Sequence, residues 1–82
     1  MQFEKDVIFL GYKDMTLKDG SLLRSVSFYV DDETLTVNVL GTNLPLMAAL
    51  AALSFADKCC ANFTLRKADK FYRLSLTGLA NV

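Results

Sequence analysis

Eighty-two residues, with nine basic and nine acidic side chains, 52% hydrophobic and 22% charged, describe one compact domain spanning 1–82 rather than a disordered chain. The charge balance argues against a nucleic-acid binder unless cations and acids are segregated on the surface. The chain has no histidine, which removes the commonest general base and the commonest metal ligand.

The first predicted strand covers Val7 to Leu17. Its apolar residues are continuous up to Gly11 and alternate weakly beyond it. A glycine at such a change marks either a bulge or bend, or nothing more than an incidental strand position. Lys18-Asp19-Gly20-Ser21 reads as a hairpin connection, since Asp-Gly supplies left-handed backbone. The second strand, Leu22 to Val30, has a period of two. Leu22, Arg24, Val26, Phe28 and Val30 share the inner side, with Arg24 near the strand end where its head reaches solvent. Leu23, Ser25, Ser27 and Tyr29 share the outer side.

Asp31-Asp32-Glu33 is a charged turn leading into a third strand, Thr34 to Leu40, with Leu35, Val37 and Val39 inward. Thr42 or Asn43 can cap a following helix, and Pro45 falls in its first turn, where a missing N–H costs little. Leu46, Leu50 and Leu53 form one stripe with Met47 beside it, and alanines fill the remaining positions. A helix without a polar face implies either a second chain against it, as in a dimer, or alanine tolerated in water because it is the best helix former. No residue from Thr34 to Ala56 is charged, yet the apolar run Leu44 to Leu53 falls well short of the ~20 residues of a membrane-spanning helix. No membrane partner is therefore expected.

The fourth strand, Asp57 to Lys67, sets Cys59, Ala61, Phe63 and Leu65 inward and Cys60, Asn62, Thr64 and Arg66 outward. After the short turn Ala68-Asp69, the fifth strand runs from Lys70 to about Leu79. Tyr72, Leu74 and Leu76 face the core, while Phe71, Arg73, Ser75 and Thr77 point out.

Catalysis has few materials here. The serines lack a histidine partner, no Ser-x-x-Lys spacing marks a lysine base, and the glycines are too scattered to cradle a phosphate. Cys59 and Cys60 are adjacent rather than spaced C-x-x-C, so neither a metal nor another cofactor is expected. Two free thiols without a secretion signal suit a reducing cytoplasm.

Binding is better supplied. Lys13, Arg66, Arg73 and Phe71 fall at outward positions, Lys67 and Lys70 lie around the last turn, and Tyr29 points outward on the second strand. Tyr12 lies near Tyr29 if the bend at Gly11 leaves it on that side. Cations follow phosphates and rings offer platforms for bases, which is what a single strand requires.

Three strands, a short helix and two more strands form the plan of the OB-fold, a five-stranded Greek-key barrel with one helix between strands 3 and 4. With the Asp-Gly hairpin and the ending from Phe63 to Leu79, the chain resembles the small OB-fold single-stranded DNA-binding proteins of phages, plasmids and conjugative elements. The resemblance is one of topology and length and carries no diagnostic motif. It implies sequence-tolerant, non-catalytic binding of single-stranded DNA during replication or transfer of a mobile element, commonly by a homodimer. Two departures stand out: the net charge is zero, and there is no acidic C-terminal tail. The resulting expectation is that Tyr12, Tyr29 and Phe71 stack on bases, while Lys13, Arg66, Lys67, Lys70 and Arg73 neutralise phosphates. The alternative is a protein-interaction barrel that docks a partner through its apolar helix or an exposed strand edge.

Overall fold

The computed structural model describes residues 1–81. Strands β1 (Gln2–Thr16), β2 (Leu22–Val30) and β3 (Glu33–Leu40) come first, then helix α1 (Leu44–Ala51), then β4 (Lys58–Ala68) and β5 (Phe71–Asn81). This is the expected order. The strands form one antiparallel sheet in the order β3-β2-β1-β4-β5.

The long strand β1 organises the sheet. Residues Gln2 to Ile8 pair with β4, and Ile8 to Thr16 pair with β2. Between Phe9 and Gly11 the register with β2 shifts, and Gly11 takes φ +135°, which only glycine adopts at little cost. The shift resets the inside–outside alternation. Phe9 lies opposite Phe28 and Tyr12 opposite Val26, so both reach the core-facing side although they are three residues apart. The bulge is pinned from outside the strand: Phe9 N–H donates to the Asp57 carbonyl, and Ala56 N–H donates to the Phe9 carbonyl, both at 2.8 Å.

The inward sets of the period-two strands make the core. Val7, Phe9, Val26, Phe28, Val37, Val39, Cys59, Ala61, Phe63 and Leu76 are buried, joined by Leu46 and Leu50 of α1. Phe28 stands edge-on to both Phe9 and Phe63, each at 6.2 Å between ring centres, and so ties the β1–β2 half to the β4 half. Each fully buried side chain of this size contributes about 1.5–3 kcal/mol.

Turns behave as their residues dictate. Asp31 and Asp32 make a two-residue β2–β3 turn with φ +51° and +63°, a left-handed pair that aspartate tolerates better than most side chains. In the β1–β2 connection Ser21 N–H and hydroxyl both donate to Asp19 Oδ1. These bonds hold the Asp19 carboxyl below the usual range, the side-chain bond contributing most. Gly41 ends β3 because a larger residue does not fit: a Cβ there would stand 2.8 Å from the Cβ of Leu22. Asn43 then caps α1, its Oδ1 accepting from Leu46 N–H at 3.4 Å, with Pro45 in the first turn.

The sheet does not close into a full barrel. Its edges β3 and β5 approach one another, but no hydrogen-bonded ladder joins them among the described residues. A cleft of about 370 Å³ lined by Val39, Leu40, Asn43, Ser75 and Leu76 lies at this seam. β3 has only eight residues, and α1 follows it to pack against β5.

Candidate nucleic-acid interface

β4 and β5 do not end where the core ends. The start of β1 reaches only as far as Leu65, where Leu65 N–H donates to the Met1 carbonyl at 2.8 Å and the Met1 ammonium donates to the Leu65 carbonyl at 3.0 Å. Beyond that point, among the described residues, β4 and β5 pair only with each other. Arg66 pairs with Arg73, Lys67 with Tyr72 and Ala68 with Phe71, closed by Asp69 and Lys70 with Asp69 at φ +59°. Every residue from Arg66 to Arg73 is exposed. At ~3.3 Å per residue, three pairs make a ribbon projecting about 10 Å.

The ribbon concentrates charge. It holds four of the nine basic residues and one of the nine acidic ones, a net +3, which leaves five basic and eight acidic residues, a net −3, for the remainder. The segregation that a neutral chain needs for binding phosphates is therefore present, but on a hairpin rather than across a sheet wall. Of the residues expected to bind, Arg66, Lys67, Lys70, Phe71 and Arg73 are brought together here.

Tyr72 is a correction. Its alternation places it on the side of Leu74 and Leu76, but the core has already ended and it is 67% exposed, close to the 75% of Phe71. Period-two patterning assigns a side of the sheet and says nothing of whether anything lies against it. The sequence signal that would have found Tyr72 is its place inside a cation-rich turn.

Tyr12, Lys13 and Tyr29 lie elsewhere on the sheet. Lys13 stands opposite Ser25 on the outward side of β1–β2–β3, over a shallow groove of hydroxyls that includes Ser25, Ser27, Thr34 and Thr36. Tyr29 opens onto the same side, 40% exposed, with its hydroxyl donating to Asp32 Oδ1 at 3.4 Å. It is thus beside the acidic turn. Tyr12 does not accompany it, because the bulge turns it to the opposite side of the sheet. One face of the Tyr12 ring is already covered by the Arg24 guanidinium, 3.9 Å from the ring centre. Arg24 in turn makes two bonds to Asp14, at 2.7 and 2.9 Å. These bonds hold the Asp14 carboxyl below its usual range. Arg24 and Asp14 thus serve the fold at the strand end.

Glu4 and Asp6 lie on the outward side of β1, opposite Asn62 and Cys60 of β4. They make this part of the outward surface acidic, in contrast to the ribbon. Cys60 is half-buried among these acids; burial first, then Glu4 and Asp6, pushes its thiol up, and burial does the same for Cys59. Neither thiol is activated. Among the described residues no group of three or more Asp, Glu or Cys is placed to hold a metal, and no helix is long and apolar enough to cross a membrane.

One apolar surface stands apart. Leu44, Ala48 and Ala51 are exposed on α1, as is Ala52 at its C-cap, and Phe55 just beyond is 75% exposed. Comparison of the chain with protein-family models, with curated proteins and with solved structures gives no match.

Proposed function

We propose that this protein binds single-stranded nucleic acid, DNA in the first instance, without catalysis, in the manner of a small OB-fold protein. The observation that carries the reading is the exposed ribbon Arg66–Arg73, where Phe71 and Tyr72 stand among four cations and a single acid. Cations there neutralise phosphates, and a ring that stacks on a base contributes about 1–3 kcal/mol. Lys13 adds a cation over the hydroxyl groove. Tyr29 beside Asp32, and Tyr12 beneath Arg24, are the weaker members of the expected set. Replication or transfer of a mobile element is the process that the overall resemblance suggests.

Titration of a labelled oligothymidine at low and moderate salt tests the proposal. Binding should weaken steeply with salt, and Phe71→Ala with Tyr72→Ala should weaken it at every salt concentration while the fold remains. Salt-independent binding, or none, would overturn it.

A second reading rests on the exposed side of α1. A charge-free apolar patch of Leu44, the alanines and Phe55 is suited to pairing two copies or to docking another protein. Light scattering of the wild type and of Phe55→Glu separates the outcomes. Homodimerisation through α1 predicts a dimer that the glutamate dissolves.

A further inference from the structure

The ribbon is two-sided, and its two sides carry similar equipment. Cross-strand pairing puts Arg66, Arg73 and Phe71 on one face, continuous with the outward side of the sheet, and Lys67 and Tyr72 on the other. Each face thus has at least one cation and one exposed ring. Neither face is covered by another described residue, every position from Arg66 to Arg73 being exposed. A lone single strand lying along one face would leave the ring and cation of the other in water. A ligand that uses both must pass on both sides of the ribbon.

The geometry points to a junction where a nucleic-acid duplex opens into two strands, with the ribbon as the wedge between them. This rests on the nucleic-acid reading above and extends it to the shape of the ligand. A two-stranded ribbon has the width to enter a duplex groove, and apolar wedges inserted between base steps unstack them at a cost that bound phosphates offset. Phe71 stands next to the two-residue turn, at the leading end of the ribbon. Arg66 and Arg73 would hold the phosphates of one departing strand, and Lys67 those of the other. Tyr72 would stack on the strand that Phe71 does not serve. The asymmetry of two arginines against one lysine makes the Phe71 face the one that also holds a lone single strand.

The test compares three DNA probes at one salt concentration: a fork with two unpaired oligothymidine arms, a single-stranded oligothymidine as long as both arms together, and the blunt stem. The fork should bind at least about five-fold more tightly than the single strand, the gain from one additional stacked base. Tyr72→Ala should weaken fork binding at least about five-fold more than it weakens single-strand binding, erasing the advantage of the fork, whereas Phe71→Ala should weaken both alike. A fluorophore–quencher pair at the base of the fork should report opening of the first base pairs with wild type and not with Phe71→Ala. Equal affinity of fork and single strand, tightest binding to the blunt stem, or a Tyr72→Ala variant that binds the fork as wild type does would each overturn the wedge. Single-strand binding would survive the first and third of these results. Failure of all three probes to bind would sink the nucleic-acid reading itself.

Discussion

The two hairpins that end in aspartate turns, β2–β3 and β4–β5, use nearly the same local chemistry for opposite purposes. Each is closed by a two-residue turn with aspartate in the left-handed region: Asp31 and Asp32 in one, Asp69 in the other. The β2–β3 hairpin is acidic at its turn but held to the body, with Val26 and Phe28 fully buried and Lys5 bonded to Asp31 at 2.8 Å. The β4–β5 hairpin is basic at its turn and exposed throughout Arg66 to Arg73 among the described residues. A turn signal sets how a chain reverses. What lies beside the reversal decides whether it stabilises the fold or remains available to a ligand.

The sharpest way to break this comparison is to remove one ring from each hairpin. Phe28→Ala should cost about 3–5 kcal/mol of stability in urea unfolding, because it empties the centre of the core. Phe71→Ala should stay within about 0.5 kcal/mol, as expected of an exposed side chain. A large loss at Phe71 would mean that another surface covers the ribbon, and the contrast would collapse.

Next in size is the close approach at the end of β3. Gly41→Ala forces a Cβ against Leu22 and should cost about 1–3 kcal/mol, read by the same unfolding curves. The effect belongs to the β2–β3 side and should leave the ribbon, and the contacts proposed for it, untouched wherever the protein remains folded.

On the ribbon, the double variant Arg66→Ala with Arg73→Ala should lower the slope of log affinity against log salt by roughly 1.4, about 0.7 for each lost phosphate contact to a single strand. The corresponding change in the acidic hairpin, Asp31→Asn, removes one exposed ion pair. It should change stability by less than about 1 kcal/mol.

The smallest expected effect concerns pH. Asp14 is held below its usual range by Arg24, so folding binds fewer protons there than the unfolded chain does. The contribution is complete above the ordinary carboxylate range and is lost as the pH falls through the lower folded value. Urea midpoints measured from pH 6 down to 3 should therefore drop less in Asp14→Asn than in wild type. An identical decline in both would remove this pair from the acid sensitivity of the fold.

The alternation of apolar and polar residues made five strands and their inward sets legible, from Val26 and Phe28 to Cys59, Ala61 and Phe63, because strand geometry points successive side chains to opposite sides. Asn43, Pro45 and the leucine spacing likewise announced α1, while the cations around Asp69 were legible only as part of a basic barrel face and not as a projecting ribbon. Three matters were decided only in three dimensions. The bulge at Gly11 turned Tyr12 away from Tyr29, because one extra residue reverses the alternation. Tyr72 is exposed on a side that its pattern calls inward, since burial needs a neighbour as well as a direction and no described residue covers that part of the hairpin. Among the described residues the seam between β3 and β5 carries no ladder, because strand content fixes which edges exist while tertiary packing decides whether they meet.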